Sequence, residues 1–158
     1  MSKLEDAYKR LAAAEDRLKH LDYAGTLREA QACIELSVKA LLDELGIDYR
    51  GKRDRIPHDV SDLVPKAFEE LKDRLEDYEY DLIRLDLARA AVLLRMLTSI
   101  AGFLEYGVAG REPKEVLAGA SETFDSSFRE LAEAVVRLAR ISHGRIRDLV
   151  MRKTKRNA

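Results

Sequence analysis

The amino-acid sequence predicts an all-α protein, folded as an antiparallel bundle of about five helices. Hydrophobic residues make up 46% of the 158 positions and charged residues 36%, with only 8 glycines and 3 prolines to break helices. Apolar residues also recur every three or four positions over long stretches, which is the period of a helix with one buried face. A chain of this length is typical of one domain with a substantial core.

The clearest helical stretch covers residues 30–42, and its apolar stripe falls at positions 27, 34, 38, 41 and 45. Glu35 and Lys39 are four residues apart, acid before base, which predicts an ion pair on the flank of this helix. Gly46 follows the last apolar position, where a left-handed C-terminal cap is expected. We therefore expect this helix to present the face on which the others pack.

The helix before it is predicted over about residues 2–20. Ser2 and Glu5 have the spacing of a capping box. The apolar stripe is predicted at Leu4, Tyr8, Leu11, Leu18 and Leu21. A short turn at residues 22–23 then makes the first two helices antiparallel neighbours.

A polar and basic stretch with Gly and Pro predicts a loop over residues 47–59, long enough to have a function of its own. A short helix is expected at residues 62–64. Pro65 then suits the first turn of a further helix, over about residues 66–76.

The longest helix is predicted over residues 77–106. From Ala88 onward it is apolar over much of its circumference, so it is expected to be buried on more than one side. In so small a chain this favours a homodimer, although the central helix of a monomeric bundle has the same pattern. The last helix is predicted from about residue 121, with apolar positions at near-heptad spacing, and it can continue through Gly144 to Leu149.

The charge distribution suggests a division into a helical domain, residues 1–144, and a basic helix extension or tail, residues 145–158. The tail has six bases and one acid, a net charge of +5, whereas the rest of the chain carries −6. Such a tail could contact nucleic acid or an acidic partner. It could equally be the solvated end of a helix, where cations are favoured.

Several other functional classes find no support in the sequence. The single cysteine, Cys33, lies on a predicted core face and cannot form an intrachain disulfide, which is typical of a reducing, cytoplasmic setting. The first residues do not resemble a signal peptide, and no apolar run is long enough to cross a membrane. There is no glycine-rich phosphate loop and no zinc-ligand spacing, so we expect neither a cofactor nor a metal.

The sequence contains Ala30-Gln31-x-x-Ile34-Glu35-x-x-x-Lys39-Ala40-Leu41-Leu42 and, after the loop, His58-Asp59-Val60-x-x-Leu63. These two motifs, in this order, resemble the HEPN family of all-helical, nucleotide-binding proteins. The turn before the helix, Leu21-Asp22-Tyr23-Ala24, also resembles the family pattern, as does the later stretch with Tyr106, Arg111 and Pro113. The resemblance extends over roughly residues 1–142.

The resemblance implies a nucleotide- or RNA-binding module that acts as a homodimer. Family members often work beside a minimal nucleotidyltransferase, as toxin–antitoxin or stress-response pairs. We select Arg111, Arg140 and Arg145 as the candidate nucleotide- or RNA-binding residues. A weaker third interpretation is a scaffold that only pairs helices with another protein.

The alternative function is a metal-independent endoribonuclease, since relatives that cut RNA carry Arg, four to six residues, and then His. Arg137 and His143 fit this pattern in the last helix, and Arg53 and His58 fit it in the loop. The histidine would act as general acid or base while a ribose 2′-hydroxyl attacks the phosphate. The arginine would stabilise charge on the phosphoryl oxygens, in a cleft formed by two copies of the chain.

Each pair has one feature that weakens its assignment. Leu138 follows Arg137, where active relatives usually have a polar residue. Six residues of straight helix also leave the side chains of Arg137 and His143 about 120° apart around the axis. Arg53 is followed by a polar residue, but nothing in a loop sequence indicates whether its side chain meets His58.

Overall fold

The computed structural model describes residues 2–50, 60–106 and 122–156, and within these ranges it contains five α-helices and no β-strand. The helices are α1 (Ser2–Lys19), α2 (Tyr23–Glu44), α3 (Val64–Lys72), α4 (Asp77–Tyr106) and α5 (Glu122–Arg156), with a short 3-10 helix at Ser61–Leu63 before α3. The predicted all-α bundle of about five helices is confirmed.

The turn between α1 and α2 links the two helices with hydrogen bonds at both ends. Leu21 has a positive φ of 58°, and the Asp22 amide donates to the Arg17 carbonyl at 2.9 Å, which closes α1 in a Schellman motif. The Asp22 carboxylate in turn accepts from the Gly25 amide at 2.9 Å and caps α2. Because one residue closes α1 and caps α2, the two helices run antiparallel, as predicted.

The buried stripe of α1 differs from the predicted one. Leu4, Ala7, Leu11 and Ala14 face the core, whereas Tyr8 is 62% exposed and Leu21 lies exposed in the turn. The prediction for Tyr8 was wrong because Ala7 and Ala14 occupy the buried face, which leaves the larger Tyr8 beside it pointing outward. The prediction for Leu21 was wrong because α1 ends at Lys19 and Leu21, with its positive φ, no longer follows the helical stripe.

Helix α2 occupies the centre of the bundle and packs against α1, α4 and α5. Its apolar stripe is confirmed, with Ile34 and Leu42 fully buried, and Gly46 follows it with a φ of 69°, as the predicted left-handed cap. The ion pair between Glu35 and Lys39 is also confirmed, at 2.6 Å. It lies inside the protein rather than on a solvated flank, since Lys39 is only 5% exposed.

Helices α4 and α5 lie antiparallel and are joined by ion pairs between the first third of α4 and the last third of α5. Arg145 contacts Asp86 at 2.9 Å and Arg152 contacts Glu79 at 3.0 Å, so later residues of α5 meet earlier residues of α4. Helix α5 continues through Gly144, and beyond it Ile146 is fully buried. The apolar face of α5 therefore contributes to the core on both sides of residue 144, whereas the division of the chain at that residue stays a prediction.

None of the described helices combines the length and apolarity needed to cross a membrane.

Candidate functional site

His143 lies in the interior, between α5 and the first turns of α1. Its side chain is 5% exposed, and its Nε2 atom lies 3.2 Å from the Leu4 carbonyl oxygen, to which it donates when that nitrogen carries the proton. The Tyr8 ring covers the imidazole at a tilt of 44°, with 6.1 Å between the ring centroids. His143 is therefore held in place by α1 rather than placed on an open helix end.

Arg137 lies on a different face of α5 from His143. Its side chain is exposed and has no ion-pair partner among the described residues. Six residues of helix separate the two positions by about 9 Å along the axis, in addition to the rotation around it. One copy of the chain does not bring the two side chains together, and the Arg137–His143 pair stays a prediction.

The two predicted binding arginines that the structure describes are both engaged in contacts between helices. Arg140 donates from Nε to the Glu15 carboxylate at 3.1 Å, which links α5 to α1, and Arg145 binds Asp86 on α4. Each would have to leave its carboxylate before it could bind a phosphate. The other predicted site residues, Arg53, His58 and Arg111, lie outside the described residues.

A hollow of about 410 Å³ opens beside His143, between the start of α1 and the last third of α5. Seven residues line it: Leu4, Glu5, Tyr8, Lys9, His143, Arg147 and Met151. Leu4 and His143 are buried, whereas Tyr8, Lys9 and Arg147 are exposed. We call this feature the His143 hollow.

The surface of the His143 hollow is mainly apolar, and its lining residues include one aromatic ring and two cations. The exposed Tyr8 ring offers a face on which a base can stack. Lys9 and Arg147 are the two cations of the lining, and guanidinium and ammonium groups bind phosphate oxygens through charge-assisted hydrogen bonds. Arg147 also lies 3.8 Å from the exposed Asp148 carboxylate of the same helix, a longer contact than those of Arg140 and Arg145. The carboxylate of Glu5 can accept a hydrogen bond from an exocyclic amino group.

Sequence reasoning missed Tyr8, Lys9 and Arg147 as site residues. Tyr8 and Lys9 lie on the first helix, more than 130 positions from His143, and only the packing of α1 against α5 joins them. A basic residue beside an aromatic one at positions 8–9 is the single local signal, and its aromatic member, Tyr8, was predicted in the core stripe instead.

A larger hollow, of about 720 Å³, lies where the ends of α2 and α3 meet α4 and α5. Its polar lining is mainly acidic, with Arg74 and Arg152 set against five carboxylates at Glu44, Asp73, Glu76, Asp77 and Glu79. Such a surface repels a polyanion. Within the described parts of the chain, no group of three or more His, Cys, Asp or Glu residues is placed to hold a metal ion.

Cys33 has the environment of a core residue rather than of a nucleophile. It is fully buried in α2, and burial raises the pKa of the Cys33 thiol to about 12. We expect iodoacetamide at pH 8 to label the native protein far more slowly than the protein unfolded in guanidinium, as read by mass spectrometry. Equal labelling rates in the two states would contradict the buried position of Cys33.

The raised pKa of the Cys33 thiol also determines how the stability of the protein depends on pH. An unfolded thiol ionises near pH 9, whereas the native thiol stays protonated until about pH 12. Cys33 therefore leaves the stability unchanged below pH 9 and lowers it progressively as the pH rises toward 12.

A comparison with protein families finds the HEPN domain over residues 2–94, more than half of the 158 residues. The match contains α1, α2, α3 and most of α4, and it also contains Arg53 and His58, whereas Arg137 and His143 lie beyond it. Comparisons with curated proteins and with solved structures find no match. The helical bundle and the family match agree, and the chain belongs to the HEPN domain family.

Proposed function

We propose that this HEPN protein is a nucleotide- or RNA-binding module and that the ligand binds at the His143 hollow. The observation that carries the proposal is the combination of an exposed Tyr8 ring with the cations Lys9 and Arg147 around one hollow. A base stacked on Tyr8 would place its phosphate within the field of both cations. The basic residues that follow Arg147 in the sequence would extend this contact along a longer RNA.

We also propose that the protein acts as a homodimer in the cytoplasm and that a minimal nucleotidyltransferase is its partner in a toxin–antitoxin or stress-response pair. The homodimer is supported by an apolar face of α4 that remains exposed in one copy of the chain. The partner and the toxin–antitoxin role rest on the family resemblance alone.

The endoribonuclease alternative is less well supported by the geometry. A general acid or base must come within hydrogen-bond distance of the atom it protonates or deprotonates. The His143 imidazole is 5% exposed, with Nε2 against the Leu4 carbonyl, and Arg137 lies on another face of α5. Binding without catalysis therefore agrees better with the arrangement of these two residues.

Removing both cations of the hollow, in the Lys9→Ala/Arg147→Ala variant, is expected to weaken RNA binding about tenfold or more. Since two phosphate contacts are lost, the slope of log affinity against log salt should also fall by about 2. Fluorescence anisotropy with short labelled RNAs at several salt concentrations measures both quantities. The matched control is Lys66→Ala/Lys72→Ala, which removes the same charge from exposed positions on α3.

Tyr8→Ala should weaken RNA binding by about 1–3 kcal/mol, which is the contribution of stacking one base on an aromatic ring. The slope of log affinity against log salt should not change, because no phosphate contact is lost. Equal losses in the hollow variant and in the α3 control would mean that binding follows overall charge, and the proposed site would be wrong. Failure of the unmodified protein to bind any of the RNAs would end the binding proposal.

The same RNAs, incubated with the protein and EDTA, separate binding from cleavage. We expect no cleavage by the unmodified protein. If it cuts, and His143→Gln does not, the Arg137–His143 ribonuclease replaces the binding proposal. Loss of cutting in His58→Ala alone would instead assign the reaction to Arg53 and His58.

A further inference from the structure

Helix α4 has a second apolar face that points away from the bundle. Its exposed side chains fall at heptad spacing, with Arg89 at the one polar position: Tyr78, Leu82, Leu85, Arg89, Val92 and Met96. The exposure of the apolar members ranges from 36% at Met96 to 68% at Tyr78. We call this set the α4 seam.

The α4 seam is distinct from the core face of the same helix. Leu87, Leu94 and Leu97 are buried against the rest of the bundle. Single exposed apolar side chains are ordinary, but the seam is an ordered row about 27 Å long on one side of a helix. Continuous apolar surfaces of this kind are typical of protein–protein contacts.

The chain segment that follows α4 is too short to cover the whole seam. Arg145 contacts Asp86 and Arg152 contacts Glu79, so α5 runs antiparallel beside α4. Counting back along α5 from Arg145, its start at Glu122 lies about level with the end of α4 at Tyr106. A 15-residue connection that must leave Tyr106 and return to Glu122 reaches about 25 Å at most. Leu85 lies about 32 Å back along α4 from Tyr106, and Leu82 lies further still.

The charges beside the seam favour a second copy of this chain as the partner. Asp77 and Asp81 are exposed near the start of the row, where Arg84 lies 4.0 Å from Asp81. Arg89 and Arg95 are exposed in its later half, where Arg89 lies 3.8 Å from Asp86 and Arg95 lies 2.9 Å from Asp62, so the first half has an excess of acid and the second an excess of base. In a parallel pair, each arginine would lie beside the same arginine of the second copy. In an antiparallel pair, the acidic start of one helix lies beside the basic half of the other.

We propose that two copies pair through antiparallel α4 helices along the α4 seam, with Leu82 of one copy opposite Val92 of the other. This register gives every member of the seam a partner and places Tyr78 opposite Met96. Arg89 then lies opposite Leu85 rather than opposite a second Arg89. One polar residue in an otherwise apolar seam fixes register and orientation at a cost in stability.

The inference rests on the homodimer of the proposed function and names its surface, but it does not involve RNA. It is therefore tested on the protein without nucleic acid. We expect sedimentation equilibrium to give twice the chain mass of 17.9 kDa for the unmodified protein. Leu82→Asp/Leu85→Asp should sediment at 17.9 kDa with an unchanged circular dichroism spectrum, because both side chains are exposed.

Ile141→Asp is the matched control, since Ile141 is also a partly exposed apolar residue, on α5 rather than on the seam. This variant should remain dimeric. A monomeric unmodified protein, or a dimer that survives Leu82→Asp/Leu85→Asp, would overturn the inference. In those cases the seam would be covered by another protein, or the dimer would use another face.

Oxidative crosslinking tests the orientation. The Leu82→Cys/Val92→Cys double variant should form a disulfide-linked dimer, whereas Leu82→Cys alone should not, because antiparallel pairing separates the two copies of position 82 by about ten residues of helix. The native Cys33 is buried and does not interfere. Crosslinking of Leu82→Cys to itself would show a parallel pair and overturn the proposed orientation.

Discussion

Glu35→Gln is expected to lower the free energy of unfolding by about 3–5 kcal/mol, although it changes no side-chain volume. Glu35 holds the Lys39 ammonium at 2.6 Å, and both side chains are almost entirely buried. Removal of the carboxylate charge leaves the ammonium with a neutral amide oxygen in place of its counter-charge and with the Tyr49 ring, 5.8 Å away. A buried charge without its counter-charge costs far more than a broken surface pair.

Urea denaturation followed by circular dichroism measures the change in the free energy of unfolding. Adding Lys39→Met in the Glu35→Gln background should recover most of the loss, because the unpaired charge is then gone. The matched control is Glu133→Gln, which breaks an exposed pair with Arg129 on α5 and should change stability by less than about 1 kcal/mol. Similar losses in Glu35→Gln and Glu133→Gln would show that the α2 pair is accessible to water.

Ile146→Ala is expected to lower the free energy of unfolding by about 2–4 kcal/mol, because Ile146 is fully buried and its truncation leaves a cavity. Ile141→Ala makes the same chemical change five positions earlier on the same helix, where the side chain is 39% exposed. Its cost should be under about 1 kcal/mol, and urea denaturation compares the two variants directly.

The Ile146 result also bears on where the folded domain ends. If residues 145–158 formed only a solvated tail, Ile146→Ala and Ile141→Ala would cost equally little. A large difference between them would extend the folded domain past residue 144, at least to Ile146.

Much of the fold could be predicted because its signals are local. Gly46 occupies a left-handed position that few other residues tolerate, and Asp22 caps the helix that follows it. The period of three to four predicted α2 correctly. The same period failed for Tyr8 in α1. Which face of an alanine-rich helix is buried depends on the helices that pack against it, and the local sequence does not contain that information.

The candidate site could be predicted only in part for a related reason. The Arg-x5-His spacing selected His143 but carries no information on which face of α5 is buried. Whether Lys9 and Arg147 share one hollow depends on the packing of α1 against α5, across most of the chain length. The burial of Lys39 was missed as well, since the i,i+4 pattern is the same on a solvated flank and in a core.

The closed turn at Leu21 and Asp22 has a consequence for the order in which the chain folds. Contacts between α1 and α2 join residues close in sequence, so they form with little loss of loop entropy, whereas α5 must return across more than 100 residues to reach α1. The α1–α2 hairpin can therefore assemble as the nucleus on which the later helices dock. Mutations in that hairpin should slow refolding, whereas mutations in α5 should mainly accelerate unfolding.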